Sequence, residues 1–156
     1  SKNTPSVIAL SRQKVPYINP DNSKKNKCKN GAYVVKITSH DSNVTLVASG
    51  TEVELALKVQ DKLKENNIHS KVVSMPCMEL FDKQSEKYRK DLIEKESLVV
   101  TLEAGSITSW QKYIKNKGLN LGIDQFGESA PYKEVYDHFD LTEDKITSFI
   151  QKKLRE

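Results

Sequence analysis

The chain has 156 residues, of which 37% are hydrophobic and 29% charged, with a net charge of +4. That length suits one domain with an extension, the apolar share suffices for a folded core, and no apolar run nears the roughly 20 residues that cross a bilayer. Two cysteines, Cys28 and Cys77, with no CxxC between them, exclude a disulfide framework and a zinc ribbon, so the expectation is a cytoplasmic protein without a membrane partner.

The opening Ser1-Lys2-Asn3-Thr4-Pro5 is polar. The run Val7-Ile8-Ala9-Leu10 that follows is too short for the apolar region of a secretory leader; it has the length of a buried strand. Pro16, Pro20, Asn22, Ser23, Asn26 and Asn30-Gly31 then give residues 16–31 the composition of a linker. A strand cut off from its sheet by a linker points to residues 1–15 as the end of another domain. Residues 1–31 also hold seven of the 25 bases against a single acid, Asp21. A basic arm can bind nucleic acid. Here Tyr17 is its only aromatic and Arg12 its only arginine, so a solvated lysine-rich loop, with no nucleic-acid partner, is the simpler reading.

From Ala32 the pattern is regular. Residues 32–37 read as a strand, 39–42 as a turn and 44–48 as a strand apolar on both faces. Thr51 followed three residues later by Glu54 predicts a capping box, the hydroxyl accepting from an orphan helix N–H while the carboxylate reaches back. The helix carries Val53, Ala56, Leu57, Val59 and Leu63 on one face, and Asn66-Asn67 can end it because Asn tolerates the left-handed conformation. Residues 71–74 form the next strand, stopped by Pro76, and 78–81 and 86–93 are short helical pieces. A strand at 98–102, a helix containing Trp110, Tyr113 and Ile114, a strand at 119–123 and a short helix at 132–139 follow. Thr142 caps a closing helix with Ile146, Phe149, Ile150 and Leu154 on one face. Its acids Glu143 and Asp144 lie in the first turn and Lys152, Lys153 and Arg155 in the last, as the helix dipole prefers. Alternating strands and helices mean an α/β sheet covered on both faces, with right-handed parallel crossovers. The step from residue 37 to 44 is too short for a crossover, which predicts a hairpin-like turn and an antiparallel first strand.

Candidate chemistry gathers after the strands, where open α/β sheets bind ligands. Ser49-Gly50-Thr51 can hold an anion at a helix start, although a tight turn with a cap explains the same residues. Glu103 can serve as a general base with Asp124 as partner, or both can tie down loop amides. His40, His69 and His138 are far apart and lack metal-ligand spacing. Cys28 lies among Lys25, Lys27 and Lys29, which can activate a thiol; a free thiol in a basic loop is the simpler account, and Cys77 after Pro76 reads as inert. Arg12 follows an apolar run, and a guanidinium there can fork onto a phosphate.

Several segments, in order, carry a family resemblance: Leu10-Ser11-Arg12-Gln13, Ala48-Ser49-Gly50-Thr51-Glu52-Val53-Glu54, Val72-Val73-Ser74-Met75-Pro76 with Glu79-Leu80-Phe81, Glu103-Ala104-Gly105-Ser106, and Gly122-Ile123-Asp124 with Phe126-Gly127 and Ser129-Ala130-Pro131. Together they resemble the C-terminal portion of a bacterial-type transketolase, over essentially the whole chain. The resemblance implies a three-layer α/β/α domain at residues 32–156, with a mixed five-stranded sheet whose first strand is antiparallel. It implies that residues 1–15 end the preceding pyrimidine-binding domain, with 16–31 as the linker. It also implies a homodimer that moves a two-carbon ketol unit from a ketose phosphate to an aldose phosphate, using thiamine diphosphate and a divalent metal (magnesium or calcium). Arg12 matches the family arginine that contacts the phosphate of the sugar substrate.

The family's cofactor motif, Gly-Asp-Gly followed at a distance by Asn, does not occur in this sequence, and its catalytic glutamate, metal ligands and histidine-rich segments belong upstream. Ser39-His40-Asp41-Ser42 is similar to an upstream segment but stands in the wrong place for its role. The expectation is therefore a chain that binds no cofactor alone, has no catalytic residue of its own, is inactive in isolation, and acts in assembly with the remaining transketolase domains and a dimer partner. The competing reading is a stand-alone binding or regulatory module that kept the fold without the catalytic domains.

Overall fold

Five strands and the helices between them follow from the apolar periodicity. In the computed structural model, which describes residues 3, 5, 7, 10, 11, 13–18, 26–93, 96–114 and 118–156, a short 3-10 turn at Lys27–Asn30 leads into β1 (Tyr33–Ile37) and β2 (Val44–Ala48). Then come α1 (Glu52–Glu65), β3 (Ser70–Ser74), α2 (Met78–Asp82), α3 (Glu86–Leu92) and β4 (Leu98–Leu102). A 3-10 turn at Thr108–Trp110 runs into α4 (Gln111–Ile114), followed by β5 (Leu119–Leu121), α5 (Tyr132–His138) and α6 (Glu143–Leu154).

The sheet order is β1-β3-β2-β4-β5. Strands β3, β2, β4 and β5 run parallel, and β1 runs antiparallel to β3. The direction expected for the first strand is observed, but its neighbour differs: β1 and β2 form no hairpin. The connection passes over the start of β3 instead, where Thr38 N donates to Ser70 O (3.0 Å) and Asn43 N to His69 O (3.0 Å). Six residues are enough to step across one intervening strand at the ~4.8 Å strand spacing.

Residues alternate between the two faces of the sheet. Leu46, Val72, Val100 and Leu102 meet Val53, Ala56, Val59 and Leu63 of α1 and Ile146 and Ile150 of α6. On the other face Val47, Val73 and Val99 meet Met75, Phe81, Leu92, Trp110 and Tyr113. The result is the three-layer α/β/α arrangement. At the end of α1, Asn67 takes φ +57°, the left-handed conformation expected there. Gly31 takes φ +84°, and a Cβ at that position would lie 2.2 Å from the Phe81 amide nitrogen, so only glycine lets this turn sit against α2.

Two local expectations need correction, and the strand expected at residues 7–10 falls partly outside the described residues. The Thr51–Glu54 capping box is absent: Thr51 is itself helical and makes no side-chain cap bond. Its hydroxyl donates to the neighbouring Glu52 carboxylate (2.8 Å), while Glu54 pairs with Lys58 (2.9 Å). Thr142 occupies the N-cap of α6 with extended backbone but without a side-chain cap bond. Val7 and Leu10 are 96% and 86% exposed and lie in no strand, with Ile8 and Ala9 outside the described residues. Among the described residues no helix is long and apolar enough to cross a membrane.

Candidate functional site at the strand carboxyl ends

Neighbouring parallel strands β2 and β4 send their chains to opposite faces, β2 into α1 and β4 into the turn and helix that bury Trp110 and Tyr113. This is the topological switch point of the sheet, where a crevice opens beyond the strand ends. Ser49 and Glu103 face each other across it. The Glu103 carboxylate accepts from Ser49 Oγ (3.4 Å) and from Trp110 Nε1 (3.2 Å), joining β2, β4 and the aromatic layer. Beside it Glu52, only 5% exposed, accepts from the hydroxyls of Thr51 and Tyr136.

Electrostatics follow from that burial. Desolvation pushes the Glu103 carboxyl above the usual range, and the nearby Glu52 carboxylate adds to the rise. Burial also pushes the Tyr136 hydroxyl up, reinforced by its bond to Glu52. The arrangement can hold a proton on Glu103. It does not suit an anion: the helix start that would receive one is already occupied by two carboxylic side chains. The anion reading of Ser49-Gly50-Thr51 therefore gives way to the tight turn.

Asp124 lies in a separate cluster. Its carboxylate accepts from Ser106 Oγ (2.9 Å) and the Ile107 amide (3.1 Å), tying the loop after β5 to the loop after β4. Asn120 strengthens the same tie by donating to Ile107 O (2.9 Å) while accepting from the Thr101 hydroxyl. Gly122 is required at this junction, since a Cβ there would sit 2.7 Å from Gly105 O and 2.6 Å from the Ile107 side chain. Glu103 and Asp124 thus bond to different partners, and the loop-tying reading holds for Asp124. Outside it a cleft of about 430 Å³ is lined by small residues such as Gly105, Ser106 and Gly127, and Phe126 projects from the same loop, 97% exposed.

Arg12 lies outside the described residues. Its neighbours Gln13 and Lys14 line a second cavity, of about 400 Å³, with Tyr132 and Tyr136 of α5. Cys28 is exposed, and Cys77 is partly buried with Sγ 3.5 Å from the Glu79 carboxylate. His40, His69 and His138 are exposed and separate, and among the described residues no three ligating side chains cluster as a metal site. Sequence reasoning missed Glu52, Tyr136 and the Trp110 bond to Glu103. The only local trace was an acid placed between Thr51 and the apolar Val53.

The family model of the transketolase-like TK C-terminal domain matches residues 31–142. The transketolase of Rhodobacter capsulatus is 37% identical over 157 residues, covering 97% of this chain and 23% of that protein. The crystal structure of Campylobacter jejuni transketolase superposes with a TM-score of 0.72 at 37% identity, over 80% of this chain and 19% of that one. A split-gene transketolase, described as an inactive β4 tetramer, shares the fold at 23% identity with a TM-score of 0.68, over 92% of this chain and 47% of that one. The chain spans less than a quarter of the length of the curated relatives it matches.

Proposed function

The chain belongs to the transketolase family, whose C-terminal domain it carries, and from that premise we propose that it serves the thiamine-diphosphate-dependent transfer of a two-carbon ketol unit from ketose phosphate to aldose phosphate, in the cytoplasmic pentose phosphate pathway. Its part is assembly rather than bond-making. The supporting observation is exposed apolar side chains at the sheet's carboxyl end and near the start of the chain: Phe126 in the loop after β5, and Val7 and Leu10. Large apolar side chains left in water in this way mark a surface that another domain covers.

In this reading residues 1–15 end the preceding domain, 16–31 are the linker, and 32–156 are the C-terminal domain. The covering partners are the remaining transketolase domains and a second subunit. The residues present do not fit thiamine diphosphate: the helix start nearest the switch point carries Glu52 and Glu103, which oppose a diphosphate. The cofactor and its metal (magnesium or calcium) are therefore assigned to the rest of the longer enzyme, and no step is derived through them. Arg12 is assigned to the sugar phosphate.

The first test is an immunoblot of the native source with antibody to this chain. A band several times larger than 17.7 kDa is expected; a band at that size favours the stand-alone module. The second is turnover. The purified chain, given thiamine diphosphate, magnesium and sugar phosphates, is expected to show none, and measurable ketol transfer would overturn the assembly role. In the longer enzyme, Arg12→Ala should raise KM for the phosphorylated substrate with a smaller effect on kcat.

A further inference from the structure

We infer that the hollow among α2, α3 and α4 is a binding site for a small amphipathic anion, a carboxylate or phosphate carried on an apolar body. The hollow is about 480 Å³, within the ~300–1,000 Å³ of small-ligand sites. It lies on the aromatic layer, in segments that the assembly reading leaves without a role.

The floor is apolar and rigid. Phe81 is buried, Ile93 sits at the edge of burial, and the Phe81 and Tyr113 rings meet at 5.8 Å between centroids. The polar wall is already ordered. Asp82 accepts from Lys112 Nζ (2.5 Å) and from the Tyr113 hydroxyl (2.9 Å), and the Lys112 ammonium stands 4.9 Å from the Tyr113 ring centroid. Burial pushes the Tyr113 hydroxyl up to about 12, so it remains a donor across the neutral range.

Arg89 supplies the recognition element. On a helix, Glu86 is the natural partner of an arginine three residues on, but Glu86 pairs with Lys90. The Arg89 guanidinium lines the hollow. Its N–H donors make no hydrogen bond among the described residues, while its charge also acts on Asp82 in the same hollow; such a guanidinium selects a ligand with a planar or tetrahedral anionic head, which it can bind through two parallel N–H donors. Lys112 and Lys90 add two further cations to the lining, paired with Asp82 and Glu86 respectively. A bare inorganic anion would leave the Phe81, Ile93 and Tyr113 surface wet, so the apolar body is part of the specification.

The test is a titration of the ¹⁵N-labelled chain with phenyl phosphate and, separately, with benzoate, followed by amide chemical shifts. Saturable shifts confined to α2, α3 and α4 are expected for at least one of the two, with the tighter probe identifying the head group. Affinity should fall by roughly tenfold or more in Arg89→Glu, and Arg89→Lys should recover part of it. Arg89 is exposed, so both variants should keep the thermal midpoint of the parent. Inorganic phosphate should bind at least roughly tenfold more weakly than phenyl phosphate. The proposal is overturned by absence of shifts from either probe into the millimolar range, by shifts centred outside the three helices, by unchanged affinity in Arg89→Glu, or by inorganic phosphate binding as tightly as the aryl probes.

Discussion

The two helical layers of this domain solve the same packing problem by different means. On one face α1 and α6, of 14 and 12 residues, bury aliphatic stripes: Val53, Ala56, Val59 and Leu63 beside Ile146 and Ile150. On the other, α2, α3 and α4 have only 5, 7 and 4 residues and, with the 3-10 turn that carries Trp110, bury Phe81, Trp110 and Tyr113. Helices of one or two turns are marginal by themselves. They are positioned by side chains that combine large apolar area with one polar handle: Trp110 on Glu103, Tyr113 on Asp82, and Tyr88 on the Ala32 carbonyl. The long-helix layer has handles too, Gln60 on the Ser70 carbonyl and Tyr136 on Glu52, but sets them beside longer aliphatic stripes.

The largest way to break that contrast is Trp110→Ala. The change removes a fully buried indole, about 3–5 kcal/mol, and also takes a donor from Glu103. Leu63→Ala in the aliphatic layer should cost about 2–4 kcal/mol through its cavity alone. Urea unfolding of both variants tests the difference, and a Leu63 variant less stable than the Trp110 variant would count against handle-based placement. Next in size is Gly31→Ala, which forces a Cβ against the backbone at Phe81 and Cys77 from a positive φ. A loss of about 2–3 kcal/mol is expected, with proteolysis mapping the damage to the start of α2.

The order of elements was legible because each strand and helix carries its own period, and the ends of α1 and β3 were marked by Asn67 and Pro76. Strand neighbours were not. A six-residue connector reads as a hairpin in sequence, yet the sheet inserts β3 between β1 and β2, an outcome decided by crossover packing far along the chain. The Thr51–Glu54 spacing was equally legible and lost to a closer competitor: Glu52 takes the threonine hydroxyl and Lys58 takes Glu54. For the site, Glu103 and Asp124 were recognisable as strand-end acids. Their actual partners, Ser49 at 54 residues' separation and Ser106 at 18, depend on which strands lie side by side. Of the apolar run at 7–10, only Val7 and Leu10 are described, and both are exposed.

A smaller effect sharpens the comparison within the short-helix layer. Tyr113→Phe keeps the ring contacts with Phe81 and Trp110 and removes only the bond to Asp82. The expected loss is about 0.5–1.5 kcal/mol, visible as a modest shift of the urea midpoint with an unchanged slope. An effect as large as that of Trp110→Ala would mean that the handle, not the area, places α4.

The smallest expected effect is also the one that depends most plainly on pH. Glu103 joins the two layers at the switch point, and burial together with the Glu52 charge raises its carboxyl above the usual glutamate range. A carboxyl raised in the folded state binds its proton more tightly there than in the unfolded chain, so the folded state loses stability as pH rises from the ordinary glutamate value through the raised one. Below that window both states are protonated and the difference disappears. Glu103→Gln keeps an oxygen to accept from Trp110 and Ser49 but cannot ionise. The variant should therefore melt higher than the parent at neutral and mildly alkaline pH, and the gap should close as pH falls toward the ordinary glutamate range. Thermal melts across that range decide it: a variant less stable than the parent at neutral pH would show that the ionised carboxylate is the better partner for the indole N–H, and that the strand-end acid is held as an anion rather than as a proton store.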